Sequence, residues 1–88
     1  LSSLSTPPNI TLYSTLGCHL CEQAEALLIE LAQSEPLQWQ VVDIVEDDEL
    51  MEQYAIRIPV LRATNTTEDL GWPFTLDDVR RYIRTNAD

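Results

Sequence analysis

A change of period between residues 9 and 44 constrains this chain more than any other feature. Asn9-Ile10-Thr11-Leu12-Tyr13-Ser14 alternates polar and apolar side chains, the pattern of a strand with one face buried. After it, Leu20, Ala24, Leu27, Leu28 and Leu31 recur at the spacing of one buried helical face, until Pro36 bars continuation. Leu37 to Ile44 begins with alternation and ends β-branched, so it reads as a second strand. A strand, a helix from about His19 to Gln33 and a second strand imply a right-handed crossover and a parallel pair. Cys18-His19-Leu20-Cys21 sits where the first strand gives way to the helix.

The rest of the chain extends this unit. Asp47 or Asp48 caps a second, shorter helix through Tyr54, with Leu50, Met51 and Tyr54 facing inward. Ile58 to Ala63 forms a third strand, opened by Pro59, where a strand tolerates proline. Thr66 to Leu70 pairs with it as a short edge strand across a turn at Asn65, and Gly71-Trp72-Pro73 breaks the pattern. Thr75 caps the last helix, with Asp78 in capping-box position and Leu76, Val79 and Ile83 as the apolar stripe. The order is β-α-β-α-β-β-α, an α/β chain with a four-stranded mixed sheet and flanking helices. Residues 1–8 read as a disordered lead-in, and residues 9–88 as one domain.

Composition narrows the function classes. Two cysteines exclude a multi-disulfide scaffold, and no apolar run approaches the ~18 residues of a membrane span. The formal charge is −10, with five arginines and no lysine, which repels phosphate backbones and anionic lipid. We therefore expect no nucleic acid and no membrane as partner, and a monomer. The dense acidic stretch from Asp43 to Glu52 is a solvated loop and helix start, or a steering surface for a basic partner. The first residues lack the basic and apolar regions of a signal peptide, so the expected location is cytoplasmic. The Asn9-Ile10-Thr11 and Asn65-Thr66-Thr67 matches are then chance.

The two cysteines carry the chemistry. Helix residues three apart share a face, with Cα atoms about 5 Å apart, inside the roughly 4.4–6.8 Å that a disulfide tolerates. Cys18 lies at the helix entrance, open to a partner; Cys21 faces inward one turn later. Unpaired N–H groups and the dipole favour a thiolate at Cys18 by roughly 0.3–1 kcal/mol, and up to about 2 when sheltered. That shifts the thiol modestly below the free value of about 8.5. A protonated His19 adds to this, or is simply an exposed loop residue, while Glu22 opposes it. The pair also admits other readings: half of a zinc site, for which only His19 is near and four ligands are normal, or a static disulfide. Arg57 either pairs with the acidic stretch or holds a substrate carboxylate. Trp39 packs on the sheet, Tyr13 is a packed aromatic, and Trp72 closes the core edge or joins a binding surface.

The element order, Cys18-x-x-Cys21 after the first strand, and Ile58-Pro59 opening the third strand resemble the thioredoxin fold. Within it, the run from Leu12 to Cys21 is similar to the opening of small bacterial glutaredoxin-like proteins, and the likeness covers residues 9–86. The resemblance implies that Cys18 is the attacking thiol and Cys21 the resolving thiol. It implies that Pro59 is a cis-proline beside the dithiol and that the Ile58 backbone pairs with substrate as an added strand. Typical glutaredoxins carry a basic residue shortly before the first cysteine, Pro-Tyr between the cysteines, and a Gly-Gly pair followed by Asp before the last helix. Here Thr15-Leu16, His19-Leu20 and Gly71-Trp72-Pro73-Phe74-Thr75-Leu76-Asp77-Asp78 stand in those places. Asp77 or Asp78 is the candidate contact for glutathione, the candidate reductant; no bound cofactor and no metal are expected. The implied function is a small thiol–disulfide oxidoreductase acting on a disulfide-bearing protein or small molecule. The alternative is a binding module, either an iron–sulfur carrier formed by a dimer or a redox adaptor without turnover.

Overall fold

The alternation from Asn9 to Ser14 forms strand β1 (Asn9–Ser14), an interior strand of a four-stranded sheet ordered β2-β1-β3-β4. The computed structural model describes residues 9–64 and 66–86; the expected lead-in over residues 1–8 and the turn at Asn65 lie outside them. β2 (Gln38–Asp43) runs parallel to β1, in register from Asn9 opposite Gln38 to Ser14 opposite Asp43. β3 (Val60–Ala63) runs antiparallel on the other side, with Leu61 opposite Leu12. β4 (Asp69–Gly71) is antiparallel to β3, with Leu70 opposite Leu61.

Strand side chains alternate between faces, and the register sorts them. Ile10, Leu12, Leu61 and Ala63 bury into one core with Ala24, Leu28 and Leu31 of helix α1 (His19–Ala32) and Val79, Tyr82 and Ile83 of helix α3 (Leu76–Asn86). The opposite face holds a smaller core of Ile44, Tyr54 and Val60, beneath a 3-10 turn (Ile44–Glu46) and helix α2 (Asp48–Tyr54). Tyr13 stacks on Tyr54 there, ring centroids 4.4 Å apart. Tyr82 pins α3 to the sheet: its hydroxyl accepts from the Ala63 N–H (2.9 Å) and donates to the Glu68 carbonyl (2.6 Å).

Several expectations move. Leu20 is exposed although it shares a helical face with Ala24 and Leu31: it stands in the first turn of α1, where no neighbour covers it. Met51 is exposed for the same reason: Leu50 and Tyr54 cover the sheet, and Met51 lies at the rim of a two-turn helix. The edge strand is Asp69–Gly71 rather than Thr66–Leu70, so Gly71 closes the strand instead of breaking it. β2 ends at Asp43, whose carboxylate caps the Val45 N–H (3.0 Å) and turns Ile44 into the 3-10 segment. β3 begins at Val60, because Arg57 and Ile58 still donate their N–H groups to the Tyr54 carbonyl at the end of α2.

The register decides where the site lies. Tyr13 is opposite both Val42 and Val60, and Val60 is opposite Gly71. The segments after β1, after β2, before β3 and after β4 therefore all emerge at one end of the sheet. No helix among the described residues is long and apolar enough to cross a membrane.

Candidate active site

The chain enters α1 through Gly17, whose φ of +75° is left-handed backbone that favours glycine. Cys18 follows in extended conformation as the helix N-cap. Its carbonyl accepts the Glu22 N–H at 3.1 Å, and its Sγ accepts the Cys21 N–H at 3.1 Å. One of the orphan donors of a helix start is thus aimed at a sulfur, which favours negative charge on that atom. Cys18 and Cys21 form a disulfide with Cα atoms 5.2 Å apart. Cys18 is half-exposed, whereas Cys21 is 3% exposed. A hollow of about 140 Å³ opens beside them, lined among others by Ser14, Thr15, Glu22 and Glu25 as well as both cysteines.

The other residues singled out from sequence fall into three groups. His19 has a 91% exposed side chain, with Nδ1 4.0 Å from Glu22 Oε1. Arg57, Ile58 and Pro59 sit at the cysteine end of the sheet. The Ile58–Pro59 bond is cis, as is Trp72–Pro73, and the Trp72 N–H donates to the Pro59 carbonyl at 3.1 Å, tying the two loops. The Ile58 N–H is committed to Tyr54 O at 3.0 Å. Arg57 does not pair with the acidic stretch of residues 43–52. Its guanidinium lies 5.5 Å over the Tyr54 ring and grips Asp69 with two bonds, of 2.6 and 3.3 Å. The strand pairing of β3 with β4 carries Asp69 within reach of Arg57, and the bond to that carboxylate raises the arginine's pKa further.

Asp77 and Asp78 are both engaged within α3. Asp77 Oδ1 accepts from Arg80 at 2.7 Å. Asp78 Oδ2 accepts the Thr75 N–H at 2.9 Å, while the Asp78 N–H donates to Thr75 Oγ1 at 3.1 Å. The Thr75 N–H holds the Asp78 carboxyl below its ordinary value. Among the described residues, no group of three or more His, Cys, Asp or Glu is arranged to hold a metal ion.

Two features of the site escaped sequence reasoning. Gly17 had a signal, a glycine immediately before a helix entrance. The Glu25–Trp39 hydrogen bond (3.2 Å) had none, because it joins a helix to a strand across 14 residues.

Comparison with known proteins places this arrangement. A protein of X. campestris solved by X-ray (XcR50) is 34% identical, with a TM-score of 0.75 over 86% of this chain and 96% of its own. Protein Ne2328 of Nitrosomonas europaea, solved in solution, is 29% identical with a TM-score of 0.78, covering 93% of this chain and 98% of its own. Thioredoxin 1 of Thermosipho africanus is 14% identical with a TM-score of 0.59 over 91% of this chain and 99% of its own, a likeness of fold. No curated protein matches the chain. The architecture is thus thioredoxin-like, and the Cys-x-x-Cys pair occupies its strand-to-helix junction. The model of the glutaredoxin-like domain (DUF836) matches residues 9–84, nearly all of the described structure, and the chain belongs to that family.

Proposed function

We propose that this protein is a dithiol thiol–disulfide oxidoreductase, with Cys18 as nucleophile and Cys21 as resolving thiol. The observation that carries this reading is the asymmetry of the pair: Cys18 is half-exposed and its sulfur receives a helix N–H, while Cys21 is buried. In the reduced protein the Cys18 thiolate attacks a substrate disulfide, forming a Cys18–substrate bond and releasing one substrate thiolate. The Cys21 sulfur then attacks Cys18, the intramolecular disulfide forms, and the second substrate sulfur leaves. Two electrons pass from the dithiol to the substrate.

A protein disulfide is the favoured substrate. Leu16 is 90% exposed and Ile56 is 99% exposed, and both stand in segments that emerge at the cysteine end of the sheet. Apolar side chains left bare beside a reactive sulfur suit a partner protein. In this reading the reductant is a dithiol rather than glutathione. Asp77 and Asp78 already have partners in α3, and no basic residue precedes Cys18 in the run Thr15-Leu16-Gly17. The protein acts as a monomer in the reducing cytoplasm.

The test is turnover of a protein disulfide with dithiol and with glutathione as alternative reductants. The wild type turns over with the dithiol; Cys18→Ser has no activity, and Cys21→Ser accumulates one mixed disulfide at Cys18. A wild-type protein without turnover, which yields a coloured dimer on anaerobic reconstitution with iron and sulfide, would reverse the reading in favour of a cluster carrier.

A further inference from the structure

Cys21 has to lose a proton before it can attack, yet it is 3% exposed, so little water reaches its sulfur to take that proton. The helix start does not solve this, because the Cys21 N–H is aimed at the Cys18 sulfur. Glu25 lies four residues further along α1. Helical side chains lean toward the N-terminus, so a side chain at i+4 lies over the turn that holds residue i. Glu25 is half-buried and lines the same hollow of about 140 Å³ as both cysteines. Its Oε2 accepts the indole N–H of Trp39 on β2 at 3.2 Å. The other carboxylate in that hollow, Glu22, has a 75% exposed side chain and faces His19. Besides the two cysteines, these two acids are the ionisable side chains lining the hollow.

We propose that Glu25 is the proton acceptor for Cys21 in the resolving step, and that Trp39 is a positioning residue that aims it. The proposal rests on the dithiol reading above. Glu25 takes the Cys21 thiol proton. The sulfur's electron pair forms the bond to Cys18 Sγ, and the Cys18–substrate bond breaks with its pair on the substrate sulfur. That sulfur takes a proton from Glu25 or water. When the disulfide is reduced, the same carboxyl, reprotonated from solvent, gives a proton to Cys21.

The experiment mixes fully reduced protein with one equivalent of 5,5′-dithiobis(2-nitrobenzoate) and follows thionitrobenzoate release by stopped flow. The first release reports attack by Cys18 and scales with reagent concentration. The second reports attack by Cys21 and is independent of it. Glu25→Gln keeps an acceptor for Trp39 but not a base. We expect an unchanged first release and a second release slowed by about 10²-fold. In that variant the second rate climbs about tenfold per pH unit below the thiol pKa, as thiolate fraction does, while the wild type changes less. Glu25→Asp restores part of the rate and of the flat profile, and Trp39→Phe slows the second release without changing its pH profile. Glu30→Gln, which removes an exposed acid from the same helix, leaves both releases as in wild type. A second release from Glu25→Gln with wild-type rate and pH profile overturns the role of Glu25. A single release from the wild-type protein overturns the dithiol reading itself, and Glu25's role with it.

Discussion

Helices α1 and α3 begin in opposite ways. At α3, Thr75 and Asp78 cap each other, each N–H donating to the other's side chain. At α1 the cap is Cys18, and the position that holds Asp78 in α3 holds Cys21. The same resource, unpaired donors and a partial positive charge, is present at both ends. In α3 a permanent carboxylate closes it, and the result is stability. In α1 it faces a sulfur whose charge changes with the redox state, and the result in our reading is reactivity. A helix start equipped for chemistry is one where a cysteine, not a carboxylate, holds the third helical position.

That contrast can be broken or sharpened by exchange. The largest effect is expected from Cys18→Thr, which gives α1 the cap residue of α3. Thermal unfolding stays close to that of the reduced wild type, because threonine is a good N-cap, while disulfide turnover falls to the uncatalysed rate. Turnover surviving in that variant would detach the activity from this helix start. Next, Gly17→Ala places a Cβ at φ +75° with open space around it, so the cost is backbone strain rather than collision. We expect a loss of about 1–2 kcal/mol, read as a fall of roughly 4–8 °C in Tm for each kcal/mol. Thr75→Ala, at the other helix, is expected to cost about 1 kcal/mol and to leave turnover unchanged.

The smallest expected effect is on pH dependence. The folded-state pKa of Asp78 is depressed by the Thr75 N–H. Its contribution is therefore present above the unfolded carboxyl value of about 3.9 and is lost as pH falls through the folded value. Melting curves of wild type and Asp78→Asn between pH 6 and pH 2 should converge in acid, the wild type losing its advantage below about pH 4. An advantage that persists unchanged to pH 2 would show that the capping bond does not depend on the charge.

Legibility from sequence followed the range of the interactions. The Thr75–Asp78 box was readable because both partners lie within one turn, and the disulfide spacing for the same reason. The partner of Arg57 was not. The acidic stretch from Asp43 to Glu52 is nearer in the first half of the chain, but strand pairing delivers Asp69 instead. Leu20 and Met51 were assigned inward by periodicity, which gives the direction of a side chain but not whether anything stands there to cover it. Tyr82 was missed because it serves both as core and as a hydroxyl bonded to two strand-end backbone groups.

Period, breakers and caps along the chain were enough to determine the order of elements, the strand-to-helix junction that holds Cys18 and Cys21, and the start of the last helix. These are local, set by dihedral preferences and by hydrogen bonds within a turn. The tertiary structure alone decided that β3 lies against β1, and so which loops share the cysteine end of the sheet. It also decided that Arg57 meets Asp69 and that Trp39 bonds Glu25, which lines the hollow beside the two cysteines. Those contacts join residues 12 and 14 positions apart, and only the closing of the sheet and the packing of α1 against it brings their atoms within bonding distance.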